Sequence, residues 1–213
     1  MTTVSLETLS TSRHSGLLDV RQQDKLDPLS ETRNRFDLPP NLVYLDGNSL
    51  GAMPAVAPQK IQDAVIDGWR TGLIRSWNER DWHILPLTLG NRLAPLLGAN
   101  SGEVLVVDST SINLFKILSA ALGMRSDHTE IVSERYNFPS DLHIIQGAVT
   151  HFYPHHKIIE GGESDESILE LISPSTAVVM LTHVSYRSGL IRDMERITKE
   201  AHNAGALVIW DLS

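Results

Sequence analysis

The sequence predicts an α/β domain organised on a mainly parallel sheet, and three observations carry that prediction. Short runs of Val, Ile and Leu alternate along the chain with longer segments whose apolar residues recur at helical spacing. Polar clusters stand at the predicted strand ends: Asp108–Ser111, Phe138–Asp141, Thr182–Gly189 and Asp211. In a parallel sheet those ends share one edge, where ligands gather. The third observation is length. A chain of 213 residues can bury a real core, and no internal repeat or low-complexity linker divides it.

Composition narrows the function class. Twenty-six acidic against eighteen basic residues give a net charge of −8, and no block of Lys and Arg forms a basic stripe. Nucleic acid and anionic membrane are therefore disfavoured as partners, and small-molecule chemistry is favoured. The absence of cysteine excludes disulfides, thiolate metal sites and a cysteine nucleophile. Adjacent His155 and His156 could ligate a metal, but neighbours in sequence seldom converge on one ion, so no metal is expected. The first residues, MTTVSLETLSTSRHSG, lack the basic segment and apolar core of a signal peptide, and nothing approaches a membrane-spanning run. A cytoplasmic protein is expected.

In order along the chain, residues 1–16 read as a frayed Ser/Thr-rich start. Leu17 to Phe36 is an amphipathic packing segment, with Asp27-Pro28 as a helix start signal. Pro39-Pro40 stops any helix, and Leu42 to Leu45 predicts a short strand before the loop Asp46-Gly47-Asn48-Ser49-Leu50-Gly51. That loop is turn geometry at minimum and a ligand contact at best. Ile61, Ala64, Val65, Gly68 and Trp69 fit a helix from Pro58 that Thr71-Gly72 could end. Trp77, Asn78, Asp81, Trp82 and His83 then crowd a mixed stretch whose rings either pack under a loop or line a pocket for a flat ligand. Leu85 to Leu97 predicts a helix with Pro86 in its first turn and Gly98 at its end.

Val104 to Val107 reads as a buried strand that turns directly into a helix at Asp108, Ser109, Thr110 and Ser111. Such a turn aims unpaired N–H groups and the positive end of the helix dipole out of the sheet, which with the hydroxyls makes a phosphate cradle; the alternative is a plain helix cap. Thr129 to Ser133 predicts a strand and Leu142 to Ala148 a helix. Phe152 is assigned to a third strand, Ile168 to Ile172 to a helix, and Ala177 to Leu181 to a buried strand ending in the polar loop Thr182–Gly189. Met194 to Ala204 is an amphipathic helix closed by Gly205, and Leu207 to Trp210 is a strand with Asp211 at its carboxyl end. A buried strand-end Asp costs several kcal/mol, on the order of what a paired cation returns, so Asp211 calls for one. A phosphate cradle, an aromatic ring and a buried carboxylate together are what pyridoxal phosphate needs.

Six stretches in this order resemble the kynureninase family of bacterial type: YLDGNSLGAMP (Tyr44 to Pro54), RSWNERDW (Arg75 to Trp82), DSTSINLFKIL (Asp108 to Leu118), NFPSDLHI (Asn137 to Ile144), THVSYRSG (Thr182 to Gly189) and WDLS (Trp210 to Ser213). The resemblance runs from about Leu17 to Ser213. It implies the aspartate-aminotransferase-like large domain (pyridoxal-phosphate fold type I), with a mainly parallel sheet and helices on both faces. It further implies pyridoxal 5'-phosphate as cofactor, a homodimer, and hydrolysis of L-kynurenine or its 3-hydroxy form to the anthranilate and L-alanine in tryptophan catabolism. Carried over by position, Thr110 and Ser111 bind the phosphate, Phe138 stacks on the pyridine within the segment Phe138, Pro139, Ser140 and Asp141, and Asp211 pairs with the ring nitrogen. Asp141 is a second carboxylate near the cofactor, Thr182 a further contact, and Ser49 and Trp69 lie on the substrate side. His183, Tyr186 and Arg187 receive no role. The expected layout is an N-terminal arm over 1–40 and an incomplete large domain over 41–213, with the small C-terminal domain and the Schiff-base lysine outside the sequence. None of Lys25, Lys60, Lys116, Lys157 or Lys199 is expected to replace that lysine, so the chain alone is expected to be inactive. The alternatives are another fold-type-I enzyme, such as a desulfurase or aminotransferase, and a non-catalytic truncated product.

Overall fold

The computed structural model describes residues 17–213; the reading of residues 1–16 lies outside them. The described chain falls into two compact units, one within Met1–His83 and the other Ile84–Ser213.

The first unit is helical and irregular. Helix α1 spans Leu17–Leu26, and a 3₁₀ helix covers Ser30–Arg35. Asp27 acts as the turn signal there, its Oδ1 accepting from the Leu29 N–H at 2.8 Å. Leu42 to Leu45, expected as a strand, is irregular; the extended pairing in this region is a single antiparallel bridge between Phe36 and Pro54. Without a continuous partner, a four-residue apolar run does not hold a ladder. Helix α2, Ala57–Asp63, continues as a nine-residue π-helix, Ala64–Gly72, in place of the single regular helix expected. Its widened turns are fixed by neighbouring side chains. Thr71 Oγ1 donates to the Ile66 carbonyl at 3.0 Å, and buried Ser76 Oγ donates to the Gly68 carbonyl at 2.8 Å. Trp82 packs so closely over Gly68 that a Cβ there would come within 2.7 Å of its ring. The short helix α3, Ser76–Glu79, carries Trp77, which is largely exposed.

The second unit holds the sheet. Helix α4, Leu85–Leu97, has Pro86 in its first turn and ends at Gly98, whose φ of +70° is the left-handed cap that favours glycine. Val104 to Val107, expected as a buried strand, pairs with no described strand. Its backbone is committed to α4 instead: the Val106 N–H donates to the Pro86 carbonyl at 3.1 Å, and a Cβ on Gly90 would meet the Val104 carbonyl oxygen at 1.8 Å. Helix α5 then spans Thr110–Met124. Strand β1 (Glu130–Glu134), helix α6 (Pro139–His151), strand β2 (Lys157–Gly161), helix α7 (Asp165–Leu169), strand β3 (Thr176–Thr182), helix α8 (Met194–Asn203) and strand β4 (Leu207–Asp211) follow. Phe152, expected in a strand, lies just past the end of α6, where its N–H still bonds to the Ala148 carbonyl.

The pairings of these four strands are all parallel, in the order β2-β1-β3-β4. Alternation along the strands sorts the core into two layers. Ile131, Val178, Met180 and Ile209 pack with Leu114, Leu118 and Leu122 of α5 and Ile145 of α6. On the other face Val132, Val179 and Leu181 pack with Ile168 of α7 and Ile197 and Ala201 of α8. Helices thus cover both faces, and because every strand runs the same way, the carboxyl ends of β1, β3 and β4 share one edge.

Candidate functional site

That edge places four of the predicted clusters together. A cleft of about 330 Å³ is lined by Thr110 and Asn113 from the start of α5 and by Trp210, Asp211 and Ser213 from the end of β4. Thr110 and Asp211 are a hundred residues apart in sequence. The crossing of α5 over the sheet brings them to one hollow.

At the α5 end the chain turns at Asp108, which has φ +35° and an ion pair with Lys116, and Ser109 is the N-cap. The Ser109 hydroxyl accepts weakly from the Ile112 N–H at 3.5 Å. The N–H groups and hydroxyls of Thr110 and Ser111 have no partner among the described residues. Four donors beside the positive end of a fifteen-residue helix form a cradle that suits a phosphate.

At the end of β1, Asn137 organises the next cluster. Its Oδ1 accepts from the Phe138 N–H at 2.8 Å and from Thr182 Oγ1 at 2.5 Å, so the β1 loop is tied to the end of β3. Phe138 is 45% exposed. Pro139 opens α6 as its first residue, and Ser140 Oγ donates to Asp141 Oδ1 at 3.1 Å. Asp141 is wholly buried. Burial pushes its carboxyl up to about 6, and the neighbouring charge of Asp211 adds to the shift, against hydrogen bonds from Ser140 and Thr182.

Asp211 is itself 7% exposed and is the register partner of Thr182 across β3 and β4. Its Oδ1 accepts from the Ser213 N–H at 2.9 Å and the Ser213 hydroxyl at 2.6 Å. Neither Asp141 nor Asp211 has an ion-pair partner among the described residues, and Asp141 Oδ2 has no hydrogen-bond donor. Two buried carboxylates side by side, one with an orphan oxygen, form a site that is favourable only with a cation or a shared proton. A protonated ring nitrogen fits that demand, so the residues present suit the cofactor expected from the sequence.

Ser49 and Trp69 belong to the first unit. Ser49 Oγ donates to Asp46 Oδ1 at 2.7 Å within its turn, and a Cβ at Gly47 or Gly51 would meet nothing within 4 Å. Trp69 sits on the π-helix with its ring exposed. Among the described residues no three His, Asp or Glu side chains gather as a metal site. His156 packs edge-on against Tyr153.

Sequence reading missed a second polar assembly at the same edge. Arg192, 4% exposed, forms ion pairs with Glu134 at the end of β1 and with Asp165 Oδ1 at 3.0 Å. Asp165 Oδ2 also accepts from the Asp193 N–H at 2.9 Å. Nothing local marks Arg192 as buried, since it stands in a polar stretch ahead of a charged helix; the one signal was Glu134 directly continuing an apolar strand. Asn137, a residue of the stretch NFPSDLHI, is the hub of the β1 loop.

Comparison with known proteins bears on this geometry. The sequence model of the aminotransferase class-V family matches residues 88–213. A kynureninase from Burkholderia pseudomallei (strain K96243) is 45% identical over 194 residues, covering 89% of this chain and 46% of that protein. One from Pseudomonas fluorescens is 46% identical over the same shares. The chain spans about half the length of these relatives. Among solved structures, a mutant of C-DES with glycine covalently linked to its PLP cofactor superposes with a TM-score of 0.70 at 16% identity, over 84% of this chain and 49% of that one. An apo cysteine desulfurase from Thermococcus onnurineus gives 0.61 at 21% identity, over 90% and 47%. At these identities the structural likeness speaks for the shared fold alone.

Proposed function

The chain belongs to the aminotransferase class-V family, and from that premise we propose that it is the cofactor-cradling part of a kynureninase, which hydrolyses L-kynurenine or its 3-hydroxy form to the corresponding anthranilate and L-alanine. The observation that carries the reading is the cleft shared by Thr110 and Asp211, with the uncompensated Asp141 beside it. The 45% identity to a kynureninase over 89% of the chain supports this chemistry over that of the cysteine desulfurase, which shares the fold at 21% identity.

Bound pyridoxal phosphate supplies an electron-poor ring that accepts the electron pair released at the substrate Cα. The chain's own residues then have separate tasks. Thr110 and Ser111 bind the phosphate through hydroxyls and the α5 N-terminus. Phe138 covers one face of the ring and excludes water from it. Asp211, with Asp141 behind it, holds a proton on the ring nitrogen, and Thr182 fixes the loop that presents Phe138. In the reaction the Cβ–Cγ bond breaks, water supplies the new carboxylate oxygen at Cγ, and Cβ takes up a proton.

Ser49 and Trp69 are assigned to the substrate side, Trp69 toward the aryl ring. We assign the bond to the cofactor to none of the five lysines of this chain: Lys116 and Lys199 lie within helices, and Lys157 begins β2 on an edge strand of the sheet. The active protein is a cytoplasmic homodimer on this reading, whose layout is an arm over 1–40 followed by the large domain. No helix among the described residues is long and apolar enough to cross a membrane. The test is anthranilate fluorescence after adding L-kynurenine to the protein as encoded. Release of sulfide from cysteine without any anthranilate would transfer the protein to the desulfurases.

A further inference from the structure

The motif THVSYRSG contributed no role for Tyr186 or Arg187, yet both meet aromatic rings of the β1 loop. The Tyr186 and Phe138 rings meet in a T-shaped pair, centroids 5.2 Å apart at 76°. One residue further, the Arg187 guanidinium lies over the Tyr136 ring, 4.6 Å from its centroid. Two rings flanking Asn137 are thus each met by one of two consecutive residues on the β3 loop.

Both loops are rigid at these points. The β3 loop closes on itself through the Val184–Ile191 bridge and the Ser185 N–H to Leu190 carbonyl bond of 2.9 Å. Ser185 Oγ accepts from the Arg187 and Ser188 N–H groups, and the Arg192 N–H donates to the His183 carbonyl at 3.0 Å. On the β1 loop, Asn137 fixes the Phe138 N–H. Pro139 bars Phe138 from helical backbone, and its φ and ψ are −56° and 134°. With its backbone fixed, Phe138 retains only the rotation of a half-exposed ring, which a single edge contact can set.

The geometry points to Tyr186 as a positioning residue that sets the plane of the Phe138 ring against the cofactor, with Arg187 pinning the two loops through Tyr136. This rests on the reading that Phe138 stacks on pyridoxal phosphate. The contact needs the ring of Tyr186; its hydroxyl has no hydrogen-bond partner among the described residues.

The test uses the protein as encoded and two readouts besides turnover: the dissociation constant for pyridoxal phosphate and the visible circular dichroism of the bound cofactor, which reports how the ring is held. Tyr186→Leu should weaken cofactor binding about fivefold and reduce the dichroic band, while Tyr186→Phe retains both. In the Phe138→Leu background, Tyr186→Leu should add nothing, since it acts through that ring. Wild-type values for Tyr186→Leu when Phe138→Leu is impaired would overturn the buttress and leave stacking intact. Unchanged binding in Phe138→Leu would instead remove the stacking reading itself. Equal damage from Tyr186→Phe and Tyr186→Leu would also overturn it, by making the hydroxyl the active group. Because the Tyr186 side chain is more than half exposed, the melting temperature of the cofactor-free protein should not move in either variant.

Discussion

Two groups of buried and part-buried acids sit at the same sheet edge, and they are handled in opposite ways. On one side Glu134 and Asp165 are joined by Arg192, a guanidinium 2% exposed that binds both. On the other, Asp141 and Asp211 face each other without a cation among the described residues, and Asp141 is raised to about 6. The first group is closed: its charge is met from within the chain, and it ties β1, α7 and the approach to α8 into one unit. The second is open, and folding leaves it in need of positive charge. An ion pair completed internally holds structure, whereas carboxylates left uncompensated at a strand edge hold a place for a ligand.

The sharpest way to break this contrast is to open the closed group. Arg192→Met leaves buried Glu134 and part-buried Asp165 without their cation and should cost roughly 3–5 kcal/mol, measured by urea unfolding. A loss under about 1 kcal/mol would mean that the assembly is as open as its neighbour.

Next in size is the pH dependence of the open group. The folded-state pKa of Asp141 lies above its unfolded value of 3.8, so between about pH 4 and pH 6 the folded state binds more protons than the unfolded one. The cofactor-free protein should therefore lose stability as pH rises through that window, by up to about 3 kcal/mol, and lose nothing from this group below it. Asp141→Asn should flatten the difference between denaturation midpoints at pH 4.5 and pH 7. An unchanged slope would place the missing cation somewhere within the chain.

Asp211→Asn sharpens the comparison from the ligand side. It should leave the fold intact while weakening pyridoxal-phosphate affinity by one to two orders of magnitude, in keeping with roughly 1.5–3 kcal/mol for a charged hydrogen bond, and turnover should collapse. Equilibrium dialysis and steady-state rates would show it; near wild-type activity would make Asp211 a structural strand end. The smallest effect is expected at Thr110. Thr110→Ala should weaken cofactor binding about tenfold with no change in stability, because its hydroxyl bonds nothing within the described chain. A stability loss with unchanged affinity would return the turn to a helix cap.

The sequence by itself determined the alternation of strands and helices, the bounds of α4, and the identity of the residues at the carboxyl edge. These are local matters: periodicity, proline and glycine placement, and the polar residues that end each apolar run. The misreadings came where an equally local signal lacked a partner or met an unforeseen one. Val104 to Val107 reads as strand, but its backbone bonds to α4; Leu42 to Leu45 reads as strand too, but no described strand runs beside it. The regular helix expected after Pro58 became π-helical because Ser76 and Trp82 close on Gly68 from further along the chain. Only the tertiary structure decided that Arg192 is buried between two acids, that Asp141 and Asp211 are left to repel each other, and that Tyr186 stands against Phe138. Each depends on which strand lies next to which, and burial and charge pairing belong to that arrangement rather than to any residue's neighbours in sequence.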